Sequence, residues 1–167
     1  NRIWVEKHAH LIDTRETVSI FPDIITFPIC NQKWTVEHMP LLIKGCICKE
    51  VDSRLLICSK EFVEAASVAA LQKWLRKKAK SYLPARLAQF SNKLGLKYSK
   101  VVVRGQKSIW GSCSADAVIS LNDKLLFMQP NVVDYVLIHE LCHLVYPNHS
   151  RDFWRLAAKF LPESSVC

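Results

Sequence analysis

The apolar positions along the chain fall into three successive patterns, and each predicts a different kind of element. From Thr17 to Cys58 the runs are short: TVSIF, IITFPI, KWTVEHM, LLIKGCIC and RLLIC, with Pro22, Pro28, Asn31 and Pro40 among them. β-rich runs punctuated in this way predict a small antiparallel sheet. The spacing then changes. Phe62, Val68, Leu71, Trp74, Leu75, Ala79 and Tyr82 recur at three- and four-residue steps, as on one side of a helix that begins near Lys60 with Ser59 as its N-cap. Pro84 is expected to kink this helix or to open a second, in which Leu87, Phe90 and Leu94 continue the stripe until Gly95 stops it. Lys100–Arg104, Ser108–Cys113 and Ala117–Leu121 read as strands, the last two joined by a turn at 114–116, with Trp110 and Cys113 expected in the core. The third pattern is a helix from Val132 to Val145 that is apolar almost all round. A last helix follows, with Ser150 as its cap and Phe153, Trp154, Leu156, Ala157 and Phe160 as its core side. Residues 1–16 show no clear period. The class is α+β, with an N-terminal β-rich lobe over 1–59 and a second part over 60–167, or one continuous domain.

Polar residues interrupt the third pattern where they are most costly. His139-Glu140-Leu141-Cys142-His143 places two imidazoles four residues apart on one helix face, at a separation that lets both meet one ion. Two histidines and a glutamate in an apolar helix are expensive to bury unless something binds them. A catalytic zinc site keeps three protein ligands and one exchangeable position. The third ligand is expected to be His149, folded back after Pro147 ends the helix at or near Tyr146, with Asp152 in reserve. Glu140 then stands beside the metal's open side, where a carboxylate can take a proton from water. Tyr146 and Tyr135 are candidate stabilisers of the transition state, and Cys142 is expected in the core.

Composition refines this. Of the 167 residues half are apolar, without any uninterrupted run long enough to cross a membrane. The first residues, NRIWVEKHAH, carry no hydrophobic signal core, so the expectation is a cytoplasmic protein with no membrane association. Seven cysteines in odd number and without framework spacing fit reduced thiols. The net charge of +8 is unevenly placed: between Ala65 and Ala115 there are eleven Lys or Arg and no Asp or Glu. Lys73, Arg76, Lys77, Lys80, Arg104 and Lys107 are the candidate contacts to phosphate or nucleic acid within that segment, the plain alternative being a solvated helix surface.

The second half of the chain above all resembles a known family. RGQKSIWGSCS at 104–114, ISLN at 119–122, VVDYV at 132–136, HELCHL at 139–144, NHS at 148–150 and Phe153-Trp154 are similar to the YgjP-like metal-dependent hydrolases. The resemblance is strong over about 70–162 and weaker over PDIITFPICNQKWTV. It implies a minimal zincin fold, with a short sheet beside the HExxH helix, related to the SprT-like proteases. Carried onto this sequence, it implies His139, His143 and His149 as ligands of one Zn2+ per chain, Glu140 as base, a protein or peptide substrate, and DNA or another nucleic acid as a further partner. One position departs: the family's KSRWGSC has Ile109 where its arginine stands. The function expected is a zinc metallopeptidase. The alternatives are a nucleoside triphosphate (UTP-type) pyrophosphatase of the same family, and a nucleic-acid-binding module whose zinc is structural and closed by a fourth ligand such as Cys113 or Cys142. A metzincin is rejected, because Tyr146 stands where that class needs glycine and both methionines, Met39 and Met128, precede the site.

Overall fold

The computed structural model describes residues 21–161, so the first run, TVSIF, lies almost wholly outside the described residues. Four strands follow: β1 (Ile24–Phe27), β2 (Gln32–Pro40), β3 (Cys46–Val51) and β4 (Arg54–Ser59). They form one sheet in the order β1-β2-β4-β3. This sheet is mixed rather than antiparallel throughout, because β2 and β4 run parallel while the other two pairs are antiparallel. The run LLIKGCIC yields a strand only from Cys46, and its first residues form an exposed loop.

The long helix α1 spans Glu64–Leu94. It starts later than Ser59 predicts, because Ser59 is spent as the last residue of β4, paired with both Pro40 and Cys46 and bonded through its hydroxyl to His38. Val63 takes the N-cap position without a side-chain cap. Pro84 lies inside this one helix and does not divide it. A mid-helix proline costs about 3 kcal/mol, and the packing of the fully buried Leu83 and Leu87 on either side offsets that. Gly95 closes the helix in the left-handed conformation with φ 69°, as its position predicts.

Beyond α1, β5 (Lys100–Arg104), β6 (Gly111–Cys113) and β7 (Val118–Asn122) make a second mixed sheet in the order β5-β7-β6. The strand expected from Ser108 begins only at Gly111. The Asn122 side chain explains this: its Nδ2 donates to the carbonyls of Gln106 (3.1 Å) and Ile109 (2.8 Å), holding 105–110 as a loop. Trp110 is therefore 43% exposed and is not a core residue. A 3-10 turn at Asp123–Phe127 leads to α2 (Pro130–Cys142), and α3 (Arg151–Ala158) follows, its Ser150 hydroxyl accepting from the Phe153 amide as expected of a cap.

One apolar core joins the first sheet to the rest, with Phe27, Trp34 and Leu55 packed together with Trp74, Leu83, Leu121 and Leu137. At its edge Trp74 Nε1 donates to Glu50 Oε1 at 2.8 Å and Lys78 pairs with Glu50 Oε2 at 2.6 Å. Lys78 also lies 4.8 Å above the Trp34 ring. Helix α2 is tied to α1 by Arg86, which grips both oxygens of Asp134 at 2.9 and 2.7 Å.

Partial burial alone would push the Glu50 carboxyl up, but the hydrogen bonds from Lys78 and Trp74 outweigh it and hold the group below its usual range. Its stabilising contribution is therefore present above the unfolded value of about 4.3 and is lost as the pH falls through the lower folded value. In urea unfolding followed against pH, Glu50→Gln should lose stability at neutral pH and converge on the wild type under acid conditions. A constant difference across the range would contradict this assignment.

Candidate metal centre

Two elements carry the polar residues of α2 to one point. Along the helix His139 and His143 share a face, and the chain then turns back so that His149 reaches the same place from the segment before α3. His139 Nε2 lies 3.2 Å from His143 Nε2 and 2.9 Å from His149 Nε2. One ligand atom from each of the three lies within 4.8 Å of the others. Four-coordinate zinc with bonds of about 2.0–2.1 Å sets its ligands about 3.3 Å apart, so the two short separations match ligands converging on one ion.

The surroundings fix that orientation. Phe153, fully buried, has its ring centroid 5.0, 4.7 and 4.8 Å from those of His139, His143 and His149, and forms the floor under all three. Trp154 stacks on His149 at 5.7 Å and is 44% exposed, so it lines the site and is not part of the core. His143 Nδ1 lies 3.0 Å from the Tyr146 carbonyl oxygen. That oxygen can only accept, so Nδ1 carries the proton and Nε2 keeps its lone pair for a metal. Burial first, and then the neighbouring His143 and His149, lower His139 to about 4, which keeps it neutral and ready to ligate.

The Glu140 side chain lies against β6. It is 6% exposed, its Oε2 is buried without a hydrogen-bond partner, and burial raises it to about 7. A carboxylate so placed is costly unless a cation lies beside it. The donor set, the proton placement on His143 and this orphaned oxygen all fit a divalent metal at the three histidines. Gly111 makes the arrangement possible: a Cβ there would stand 2.6 Å from Glu140 Oε1 and 2.7 Å from its Cγ.

Several expectations change. The helix ends at Cys142 and not near Tyr146, because its last turn tightens into bonds from the Leu144 and Val145 amides to Leu141 and Cys142. Asp152 is exposed and paired with Arg155 at 3.1 Å, outside the histidine group. Among the described residues no cysteine joins that group; Cys142 is fully buried in the cluster of Ile138, Phe153 and Ala157. Tyr146 reaches the centre through its carbonyl and Tyr135 through a ring contact of 5.9 Å with His139. Lys73, Arg76, Lys77 and Lys80 line a groove on α1, whereas Arg104 and Lys107 lie outside it, at the end of β5 and in the following loop. Arg76 is occupied by Asp123 at 3.2 Å. The roles of Phe153, as the floor, and of Gly111, as the space for Glu140, were not assigned from the sequence, where one reads as a core aromatic and the other as an ordinary strand glycine.

The whole chain, residues 1–167, matches the family described as "YgjP-like, metallopeptidase domain". The chain belongs to the YgjP-like family. It is therefore a metallopeptidase-type hydrolase, with the α+β architecture and the three-histidine group expected of it. No curated protein sequence matches the chain. Among solved structures it is similar to the metallopeptidase zymogen abylysin of Pyrococcus abyssi, with 30% identity over 48% of this chain and 80% of that one, at a TM-score of 0.44. Among the described residues no helix is long and apolar enough to cross a membrane.

Gly111→Ala should leave the fold and metal binding intact but displace the Glu140 carboxylate. General acid–base catalysis is worth about 10²–10⁴-fold, so peptidase activity should fall by about two orders of magnitude at unchanged metal content, measured on the same preparation. Retained activity would show that Glu140 does not need its place against β6.

Proposed function

We propose that the chain is a zinc-dependent endopeptidase in which His139, His143 and His149 hold one ion and Glu140 is the general base. The single observation that carries this reading is the pairing of three converging imidazoles with a buried, unpartnered carboxylate on the adjoining turn. The zinc, when bound, supplies Lewis-acid polarisation of the scissile carbonyl and acidifies the attacking water. Glu140 takes the proton of that water and delivers it to the leaving amine. His143 stays fixed by the Tyr146 carbonyl throughout. The hydroxyls of Tyr135 and Tyr146 have no hydrogen-bond partner among the described residues and are the proposed donors to the developing oxyanion.

The substrate is a peptide held in extended form. β6 is an edge strand, paired on one side with β7 and in contact with α2 through Gly111 and Glu140. Its free side offers backbone groups to a peptide running past the metal centre. Ile109 and Trp110 at the head of β6 and Trp154 beside His149 are 43 to 45% exposed, and this apolar rim favours large apolar side chains next to the scissile bond. A structural zinc would need a fourth protein ligand, and among the described residues the group has three.

The test is mass spectrometry of products from a zinc-replete digest of denatured protein with added UTP, run beside Glu140→Gln. Peptides absent from the mutant reaction, with large apolar residues at the cleaved bond, are expected. UMP and pyrophosphate without peptides would overturn the reading. Trp154→Ala should raise KM for an apolar peptide about tenfold with little change in kcat, since losing one apolar contact is worth roughly 1–3 kcal/mol of discrimination. A loss confined to kcat would instead place Trp154 in support of His149.

A further inference from the structure

A second concave surface lies between the edge strand β3 and helix α1. It is a groove of about 1000 Å³, with Cys46, Ile47 and Lys49 on the strand side and Lys73, Lys77 and Lys80 on the helix side. On α1 the three lysines are four and three residues apart, so they share one face and extend along the groove for about 10 Å at 1.5 Å per residue. None of the three has a carboxylate within ion-pair distance among the described residues. The acid that does line the groove, Glu50, is held by Lys78 and Trp74. An uncompensated row of three cations in a concavity is an electrostatic site that lacks its counter-charge.

We propose that this groove binds the phosphate backbone of single-stranded nucleic acid, as a site separate from the metal centre. The kind of cation left over favours phosphate over an acidic peptide. Arginine forks are the groups that grip carboxylates in a fixed geometry, and here both arginines of α1 are committed, Arg76 to Asp123 and Arg86 to Asp134. What faces the groove are lysines, point charges that meet a phosphate from many directions and read no sequence. Trp74 is 6% exposed with its indole nitrogen on Glu50, so it offers no face for base stacking, and binding is by charge alone. The lysines line the walls of a groove, not a projecting ridge, which suits one strand better than a duplex. Segment 65–115, which holds α1, contains no Asp or Glu to repel such a strand.

The experiment is fluorescence anisotropy of a labelled thymidine oligonucleotide with the full chain at several salt concentrations. A single strand releases about 0.7 counterion per neutralised phosphate. Three lysines should therefore give a slope of log K against log salt of about −2. The Lys73→Gln/Lys77→Gln/Lys80→Gln variant, checked for folding by its thermal melt, should lose the salt-dependent binding. A control removing Lys33, Lys97 and Lys159, exposed lysines outside the groove, should leave the slope near −2. The proposal is overturned if the oligonucleotide does not bind, if both variants lose slope equally, if a duplex binds more tightly, or if poly-glutamate displaces the oligonucleotide at equal charge.

Discussion

The constraint on which the site depends is the burial of Glu140 in an apolar helix. Leu137, Ile138, Leu141 and Cys142 fix α2 in the interior, so the carboxylate between them cannot reach bulk water. The fold meets this in two ways. Gly111 gives the side chain room against the backbone of β6, and His139 of the same helix, His143 at its end and His149 beyond it come together in a group that could hold a cation. Neither works without the other. A carboxylate without the cation would be an uncompensated cost, and a cation without the carboxylate would have no base beside it.

Most of the remaining structure serves to hold that helix in register. Arg86 clamps Asp134 near its start, α3 slides Phe153 beneath the three imidazoles, and Asn122 pins the loop so that β6 begins at Gly111. The first sheet is farther away, but it shares the core through Phe27 stacked on Trp74 of α1 and Trp34 set edge-on to both. That same contact leaves the outer face of α1 free for its lysines. Helix α1 therefore has an inward face that supports the metal helix and an outward face that carries charge.

Local chemistry was legible from the sequence, and long-range pairing was not. The convergence of His139, His143 and His149 could be read because spacing on a helix and after a proline carries that geometry by itself. The parallel pairing of β2 with β4 could not, since nothing in either run's alternation says which neighbour it chooses. Ser59 resembled a cap because it precedes a helical stripe, yet its place at the end of β4 depends on Cys46 and Pro40. Trp110 and Trp154 read as core by residue type, and only their position beside Asn122 and His149 exposes them. The basic segment was visible as composition, but its sorting into paired arginines and unpaired lysines needed Asp123 and Asp134 to be brought alongside.

The most direct test of the metal centre is X-ray absorption at the zinc edge on the purified chain loaded with one equivalent of zinc. The account predicts three nitrogen ligands at about 2.0–2.1 Å with a fourth, exchangeable light-atom position that a small anion can replace. A sulfur ligand at about 2.3 Å, or four protein ligands that no anion displaces, would contradict it and make the zinc structural.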